Sequence, residues 1–419
     1  EYRCKYSFNI PHTRLVFIRL IVRAYFQKQG EFMKYDFDYV PDRRNSGSYK
    51  WDLADKSHFD AGAYPFSVAD MEFQTPIEIR TAVADFAEKG FFCYTGIDDE
   101  YKKAVCSFMK RHHNWNIQPE SIVPTGGVVF AINTAIRAFT NVGDGVIIQR
   151  PVYYPFTDSI VNNGRVVKNN ALLCDNKGNY SMNFEELEFL ASEPDTKLML
   201  LCSPHNPVGR VWTVDELKKV ADICQRNHVI LVSDEIHMDL CRNKHTVINT
   251  VDKNIAGNTV ICTAVSKSFN VAGLSTSNII IENDMLRKKF SEQTSIDGYS
   301  CINCVSRPVT ITAYTECDGW LEAVNNKINE NFDLLEEFIS SKHPEIILSK
   351  REGTYLAWLN FKFMNISDEE LNNFLIYKAG IIPDPGFWFG PEGSGYTRLN
   401  LAVPTKVLGD ALNKLDSVI

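Results

Sequence analysis

The 419-residue sequence lacks a long uncharged apolar run, internal repeats and low-complexity tracts. These absences exclude a membrane bundle, a coiled coil, a collagen and a disordered chain. It has no excess of basic charge: 44 Lys+Arg stand against 52 Asp+Glu, a net charge of −8, which argues against nucleic acid as a partner. It has no cysteine framework either. Its 11 cysteines are odd in number and scattered, which suits the reducing cytoplasm better than a secreted disulfide scaffold. What remains is a hydrophobic share of 44% and a charged share of 23%, the profile of a soluble globular protein. The length exceeds what one simple core supports, so two domains are expected, with roughly three quarters of the unfolded surface buried.

Residues 1–32 differ in character from the rest. They are basic (Arg3, Lys5, Arg14, Arg19, Arg23, Lys28), and their apolar run Leu15 to Phe26 is broken by two arginines. That is too short and too charged for a membrane span or a signal-peptide core. An organelle transit peptide is one reading. The reading preferred here is a mistranslated leader, because the first methionine is Met33 and Gln29-Gly30-Glu31 can be encoded by a purine-rich stretch resembling a ribosome-binding site. Intact mass of the product of the native gene tests this expectation, and a product that retains residues before Met33 refutes it.

From Met33 onward, short apolar runs alternate with amphipathic helical patterns, which predicts a mainly parallel α/β sheet. The predicted strands are Val146–Gln149, Leu198–Cys202, Val229–Ser233, Val260–Thr263 and Asn278–Ile281. Thr213 and Glu216 form a capping-box pattern ahead of Leu217, Val220, Ala221 and Cys224 at helical spacing. After about residue 300 the pattern shifts to long helices, Trp320–Ser341, Asp368–Ala379 and Lys406–Leu415. A large α/β domain is expected at 76–295, and a smaller α+β domain from 33–75 together with 296–419.

In open α/β sheets, ligands bind beyond the carboxyl ends of the strands, and the unusual polar residues fall there. Thr125-Gly126-Gly127 leads into a helix whose first residues are Val128 and Val129, leaving backbone N–H groups for a phosphate. An ordinary tight turn is the plainer alternative. Tyr153 follows the next strand, either as core or as a ring stacked on a ligand. Asn206 is held between Pro204 and Pro207, so a rigid backbone aims its amide. Asp234 follows a strongly apolar strand; a carboxylate buried there needs a cationic partner. No second His or Cys lies nearby at ligand spacing, so Asp234-Glu235-Ile236-His237 does not read as a metal site. Lys267 sits between Ser266 and Ser268 after another apolar strand, the setting for an amine of lowered pKa suited to a Schiff base. One ligand accounts for the whole set: pyridoxal 5′-phosphate (PLP), with a phosphate, an aromatic ring, a basic ring nitrogen, a phenolic oxygen and an aldehyde.

From about Tyr35 to its end the chain resembles fold-type I PLP enzymes of the aminotransferase class I/II superfamily, and within them the MalY/PatB-type cystathionine β-lyases (C–S lyases). Asn206-Pro207-x-Gly209, Asp234, Val265-Ser266-Lys267 and Arg398-x-Asn400 carry the superfamily resemblance. Val68-Ala69-Asp70-Met71-Glu72-Phe73, Tyr94-Thr95-Gly96, Asp234-Glu235-Ile236-His237-Met238-Asp239 and Ser266-Lys267-Ser268-Phe269-Asn270 carry the subgroup resemblance. By that resemblance, Lys267 would bond to the cofactor, Asp234 would hold its ring nitrogen protonated, and Asn206 would bond its ring oxygen with His237 close by. Tyr153 would stack on the ring. Gly127, Val128, Val129, Ser266 and Thr263 would hold the phosphate, with Tyr94 reaching it from the other subunit of an obligate dimer. Arg398 would clamp the substrate carboxylate in a fork, beside Asn206 and Ala69.

Two positions depart from the subgroup pattern, Ser67 in place of Trp and Cys93 in place of Gly, both near the substrate entrance. Cys301-x-x-Cys304 reads as two ordinary thiols, since nothing around it resembles a thioredoxin unit. The activity implied is β-elimination from an S-substituted cysteine such as L-cystathionine, giving a thiol, pyruvate and ammonia. An aminotransferase using a 2-oxo acid acceptor is the alternative, and a regulator that binds a transcription factor is the second. Half-apolar candidates for the leaving-group pocket are Tyr64, Tyr299, Phe387 and Trp388.

Overall fold

Seven strands follow one another along the chain: β1 (Ile122–Thr125), β2 (Gly145–Ile148), β3 (Val166–Asn169), β4 (Thr196–Cys202), β5 (Ile230–Asp234), β6 (Thr259–Thr263) and β7 (Ser277–Ile280). They form one sheet in the order β1-β7-β6-β5-β4-β2-β3. The run from β3 to β6 is parallel, while β7 lies antiparallel to both of its neighbours. The computed structural model describes residues 35–52, 58, 62–252 and 254–419. The chain divides into a short unit, Glu1–Asp36, and a unit spanning Phe37–Ile419; only the second is described below. The leader reading for residues 1–32 falls outside the described residues.

The central strands form because they are apolar on both faces: β2, β5, β6 and β7 are buried almost throughout, and β4 exposes only Lys197. Such two-sided burial is what helices packed on a parallel sheet impose. The five predicted strands are observed, each within two residues of the expected bounds. The edge strands β1 and β3 were not anticipated. β1 carries Pro124, tolerated there because the strand is at an edge and pairs on one side only, and β3 is half-exposed. Mixed burial blurs the apolar signal at both edges.

The helix Val214–Arg226 starts with the expected capping box. The Thr213 hydroxyl accepts the Glu216 N–H at 3.2 Å, and the Glu216 carboxylate accepts the Thr213 N–H at 2.8 Å. That reciprocal pair contributes about 1 kcal/mol and fixes where the helix begins. The helix Val128–Phe139 lays Val128, Ala131, Ile132, Ala135 and Ile136 on the sheet core with Val146, Leu200 and Val260. Among the described residues, no helix is long and apolar enough to cross a membrane.

A second sheet is wholly antiparallel: β8 (Ile347–Leu348), β9 (Leu356–Asn360), β10 (Asp384–Pro385) and β11 (Tyr396–Asn400), in the order β8-β9-β11-β10. The long helix Asp318–Lys342 precedes it, with Asp368–Tyr377 and Thr405–Asp416 further on, matching the helices expected after residue 300. The segment Tyr64–Pro65 pairs in parallel with Ile381–Ile382, tying the chain before the large sheet to the region of the small one. The loop that follows it, residues 66–73, is thereby carried toward the carboxyl ends of β4, β5 and β6.

Candidate active site

Because β4, β5 and β6 are parallel and in register (Cys202 beside Asp234, Asp234 beside Cys262), the residues that leave them emerge at one edge. Asp234 is the last residue of β5 and is 5% exposed. Burial pushes its carboxyl up to about 7, against the Ile236 N–H it accepts at 3.2 Å and the nearby charge of Lys267. Lys267 lies in the turn Val265–Ser268 after β6. Burial lowers its amine to about 8, opposed by the negative charge of Asp70. Its Nζ donates to the Ala69 carbonyl at 2.7 Å, and the Tyr355 hydroxyl donates to the same oxygen at 2.7 Å.

His237 is buried and held neutral: burial, then the charges of Lys267 and Arg398, lower it well below its ordinary value. Its Nδ1 is buried without a hydrogen-bond partner, and its ring meets the Tyr355 ring edge-on at 5.6 Å between centroids. Behind Lys267, the Ser268 hydroxyl donates to Asp239 at 2.5 Å and His113 Nε2 bonds the other oxygen of that carboxylate at 2.7 Å. These bonds fix the short turn that presents the amine.

The opposite wall is built by the β4 loop and the small sheet. Arg398 on β11 is 3% exposed, and its Nη1 donates to Asn206 Oδ1 at 3.0 Å. With its oxygen committed to a cation, the Asn206 amide N–H groups are left for another acceptor. The Asn206 carbonyl accepts the Tyr153 N–H at 3.1 Å, which places that half-buried ring beside the amide. Burial raises the Tyr153 hydroxyl well above its ordinary value, so it stays protonated.

At the start of the helix Val128–Phe139, Gly127 has φ +109°, a conformation that side chains resist, and no side chain caps the helix. The first-turn N–H groups from Val128 onward are therefore free of a side-chain acceptor, and the helix dipole favours an anion there. The Thr125 hydroxyl bonds Ser277 Oγ at 2.6 Å and holds this turn against β7. Thr263, expected to offer its hydroxyl to a phosphate, donates it to the Asn278 carbonyl at 2.9 Å, and Ser266 is buried in the lysine turn. Val128 is buried with the sheet core, Val129 is half-exposed, and Tyr94 stands apart from the cluster at 97% exposure. Lys267, Asp234, His237, Asn206, Tyr153, Arg398 and Ala69 thus converge, with Gly127 at the neighbouring helix start.

A family model for aminotransferase class I and II matches residues 54–415. The chain belongs to the aminotransferase class I and II family. Among curated members, cystathionine β-lyase PatB of Bacillus subtilis (strain 168) is 37% identical over 386 residues, covering 92% of this chain and 100% of PatB. Protein MalY of Escherichia coli (strain K12) is 33% identical over 377 residues, covering 89% of this chain and 96% of MalY. Among solved structures, cystalysin from Treponema denticola, which contains a pyridoxal 5′-phosphate cofactor, superposes with a TM-score of 0.88 at 39% identity, covering 92% of this chain and 99% of that one.

Two residues of this aminotransferase class I and II site escape the sequence reading. Tyr355 shares the Ala69 carbonyl with Lys267, and Asp384 holds Arg398 through Nε at 3.1 Å and through Nη2. Tyr355 precedes the apolar run of β9 and carries no local signal. Asp384 does carry one: it lies between Pro383 and Pro385, the same proline confinement that singles out Asn206. Cys301 and Cys304 are both free and half-buried.

Proposed function

We propose that the chain is a PLP-dependent carbon–sulfur β-lyase that cleaves L-cystathionine, and related S-substituted cysteines, to a thiol, pyruvate and ammonia. The observation that carries the reading is the pairing of a buried acid, Asp234, at the end of β5 with a half-buried amine, Lys267, in the turn after the adjacent strand β6, in a chain that matches PatB over the whole of PatB. The site fits PLP on its own terms. An uncapped helix start at Gly127 suits a phosphate, a buried carboxyl raised to about 7 is stabilised as the carboxylate by a cationic ring N–H, and the free Asn206 amide hydrogens suit a phenolic oxygen. When bound, PLP supplies an aldehyde for amines and a protonated ring that accepts the electron pair left at Cα.

The chain's own residues then have defined tasks. Lys267 would hold the cofactor through Nζ, and its amine, when free, would take the substrate Cα proton. Asp234 would keep the ring nitrogen protonated by offering it an anion in a dry setting. Asn206 Nδ2 would donate to the ring oxygen, and neutral His237 would line this end without adding charge. Arg398 binds the substrate carboxylate, so the amine and Cα face Lys267. Loss of the thiolate from Cβ and addition of water to the remaining three-carbon fragment balance the reaction: cystathionine and water give homocysteine, pyruvate and ammonia.

The site is completed in a homodimer. Phe91, Phe92 and Tyr94 are 74%, 64% and 97% exposed in one chain, an apolar strip that suits burial against a second copy. Tyr94 is assigned to the phosphate of the partner's site. The large sheet, at 76–295, is read as the cofactor domain and 33–75 with 296–419 as the small one. The odd, scattered cysteine usage supports a cytoplasmic location.

Purified enzyme with PLP and L-cystathionine, without any 2-oxo acid, tests the activity. Pyruvate and free thiol forming in equal amounts are expected. If neither forms until a 2-oxo acid is added, and a new amino acid then appears, the chain is a transaminase.

A further inference from the structure

Arg398 and Asp384 lie directly opposite one another on the paired strands β11 and β10, and both are buried, at 3% and 4% exposure. One carboxylate oxygen, Oδ2, accepts from Arg398 Nε at 3.1 Å, from Arg398 Nη2, and from the Val68 N–H at 3.2 Å. The guanidinium also sits over the Phe389 ring at 4.8 Å and donates Nη1 to Asn206. Of its five N–H hydrogens, one on each of Nη1 and Nη2 is left for an incoming anion. Two consequences follow. The arginine is locked in orientation, and the subsite is electrically neutral before a ligand arrives, because a buried carboxylate already balances the guanidinium.

The geometry points to Asp384 as the residue that sets the charge selectivity of the carboxylate subsite: it admits a planar monoanion and rejects a dianion. The inference rests on the lyase reading, in which Arg398 receives the substrate carboxylate. An anion there gains two directed hydrogen bonds but faces Asp384 across the same guanidinium. A second negative charge finds no uncompensated cation in Arg398 and is repelled by Asp384 in a low-dielectric pocket. The same oxygen holds the Val68 turn, where a β-branched residue sits at φ +55°. That turn leads directly to the Ala69 carbonyl that accepts Lys267. Asp384 is accordingly a positioning and specificity residue that acts through Arg398.

The test compares L-alanine, which has no β-leaving group, with its phosphonate analogue 1-aminoethylphosphonate, using calorimetric dissociation constants on the PLP-loaded enzyme. Wild type is expected to favour alanine at least tenfold, and the preference to grow as the phosphonate loses its second proton between about pH 5 and 7. Asp384→Asn keeps an acceptor oxygen but removes the charge, and should shift the ratio toward the phosphonate by tenfold or more. Asp384→Glu, which keeps the charge, should retain the wild-type preference. A merely structural role would weaken both ligands alike and leave the ratio unmoved. A ratio unchanged in Asp384→Asn, together with a flat pH dependence in wild type, overturns the inference. The wild-type measurement stands even where the variant does not fold. If alanine fails to bind wild type at all, it is the lyase reading that fails.

Discussion

Asp234 and Lys267 leave adjacent parallel strands, and burial drives them in opposite senses, the acid up to about 7 and the amine down to about 8. Each is thereby moved toward its neutral form near physiological pH. A neutral amine is a nucleophile and a base, whereas a carboxyl of this kind becomes a firm anion only beside a cation. The pair is therefore poised for a ligand that offers an electrophilic carbon to one and a ring N–H to the other.

Lys267→Ala removes both the attachment point and the base. Pyruvate release from L-cystathionine should fall by about three orders of magnitude or more. Borohydride should fix the cofactor to the Lys267 peptide in wild type and to no peptide in the variant. Turnover at a tenth of wild type or better would contradict the assignment.

Asp234 gives the cofactor-free protein a definite pH dependence. Its folded pKa of about 7 lies above the ordinary aspartate value of 3.8, so the native state binds the proton more tightly than the unfolded chain. Stability from this group is fully present below about pH 4 and is lost as pH rises to about 7, by about 4 kcal/mol. Melting temperatures of cofactor-free wild type should fall across that window relative to Asp234→Asn, and bound PLP should abolish the difference. Lys267 acts the other way higher up, with stability rising from about pH 8 toward 10.5 as the unfolded amine loses its advantage.

Gly127→Ala puts a side chain on a backbone at φ +109° with nothing within 4 Å of the new Cβ. The cost is conformational, about 1–3 kcal/mol, and relaxing it turns the helix start away from its anion. PLP affinity, read by fluorescence titration, should drop about tenfold or more, with little change in kcat at saturation.

Tyr94→Ala and Lys267→Ala should each be inactive alone, yet a reassembled one-to-one mixture should regain about a quarter of wild-type activity, because half the dimers then hold one intact site. No recovery on mixing, with dimers shown by sedimentation, would place Tyr94 in its own chain's site or in none.

The sequence by itself determined the elements whose cause is local. Apolar runs predicted β2, β4, β5, β6 and β7, because strands buried on both faces need no polar alternation. Thr213 and Glu216 predicted a helix start, because a capping box uses only residues four apart at most. Lys267, Asp234 and Asn206 were legible because each follows an apolar strand, where a polar side chain has no structural reason to be. Only the tertiary structure decided what depends on distant partners. The antiparallel β7 and the edge strands β1 and β3 follow from pairing, which a single strand's pattern does not encode. Tyr355 and Asp384 enter the site through contacts spanning 286 and 316 positions of chain, to Ala69 and Val68 respectively. The shifted pKa values belong to the same class, since burial is a property of the packed molecule and not of any residue within it.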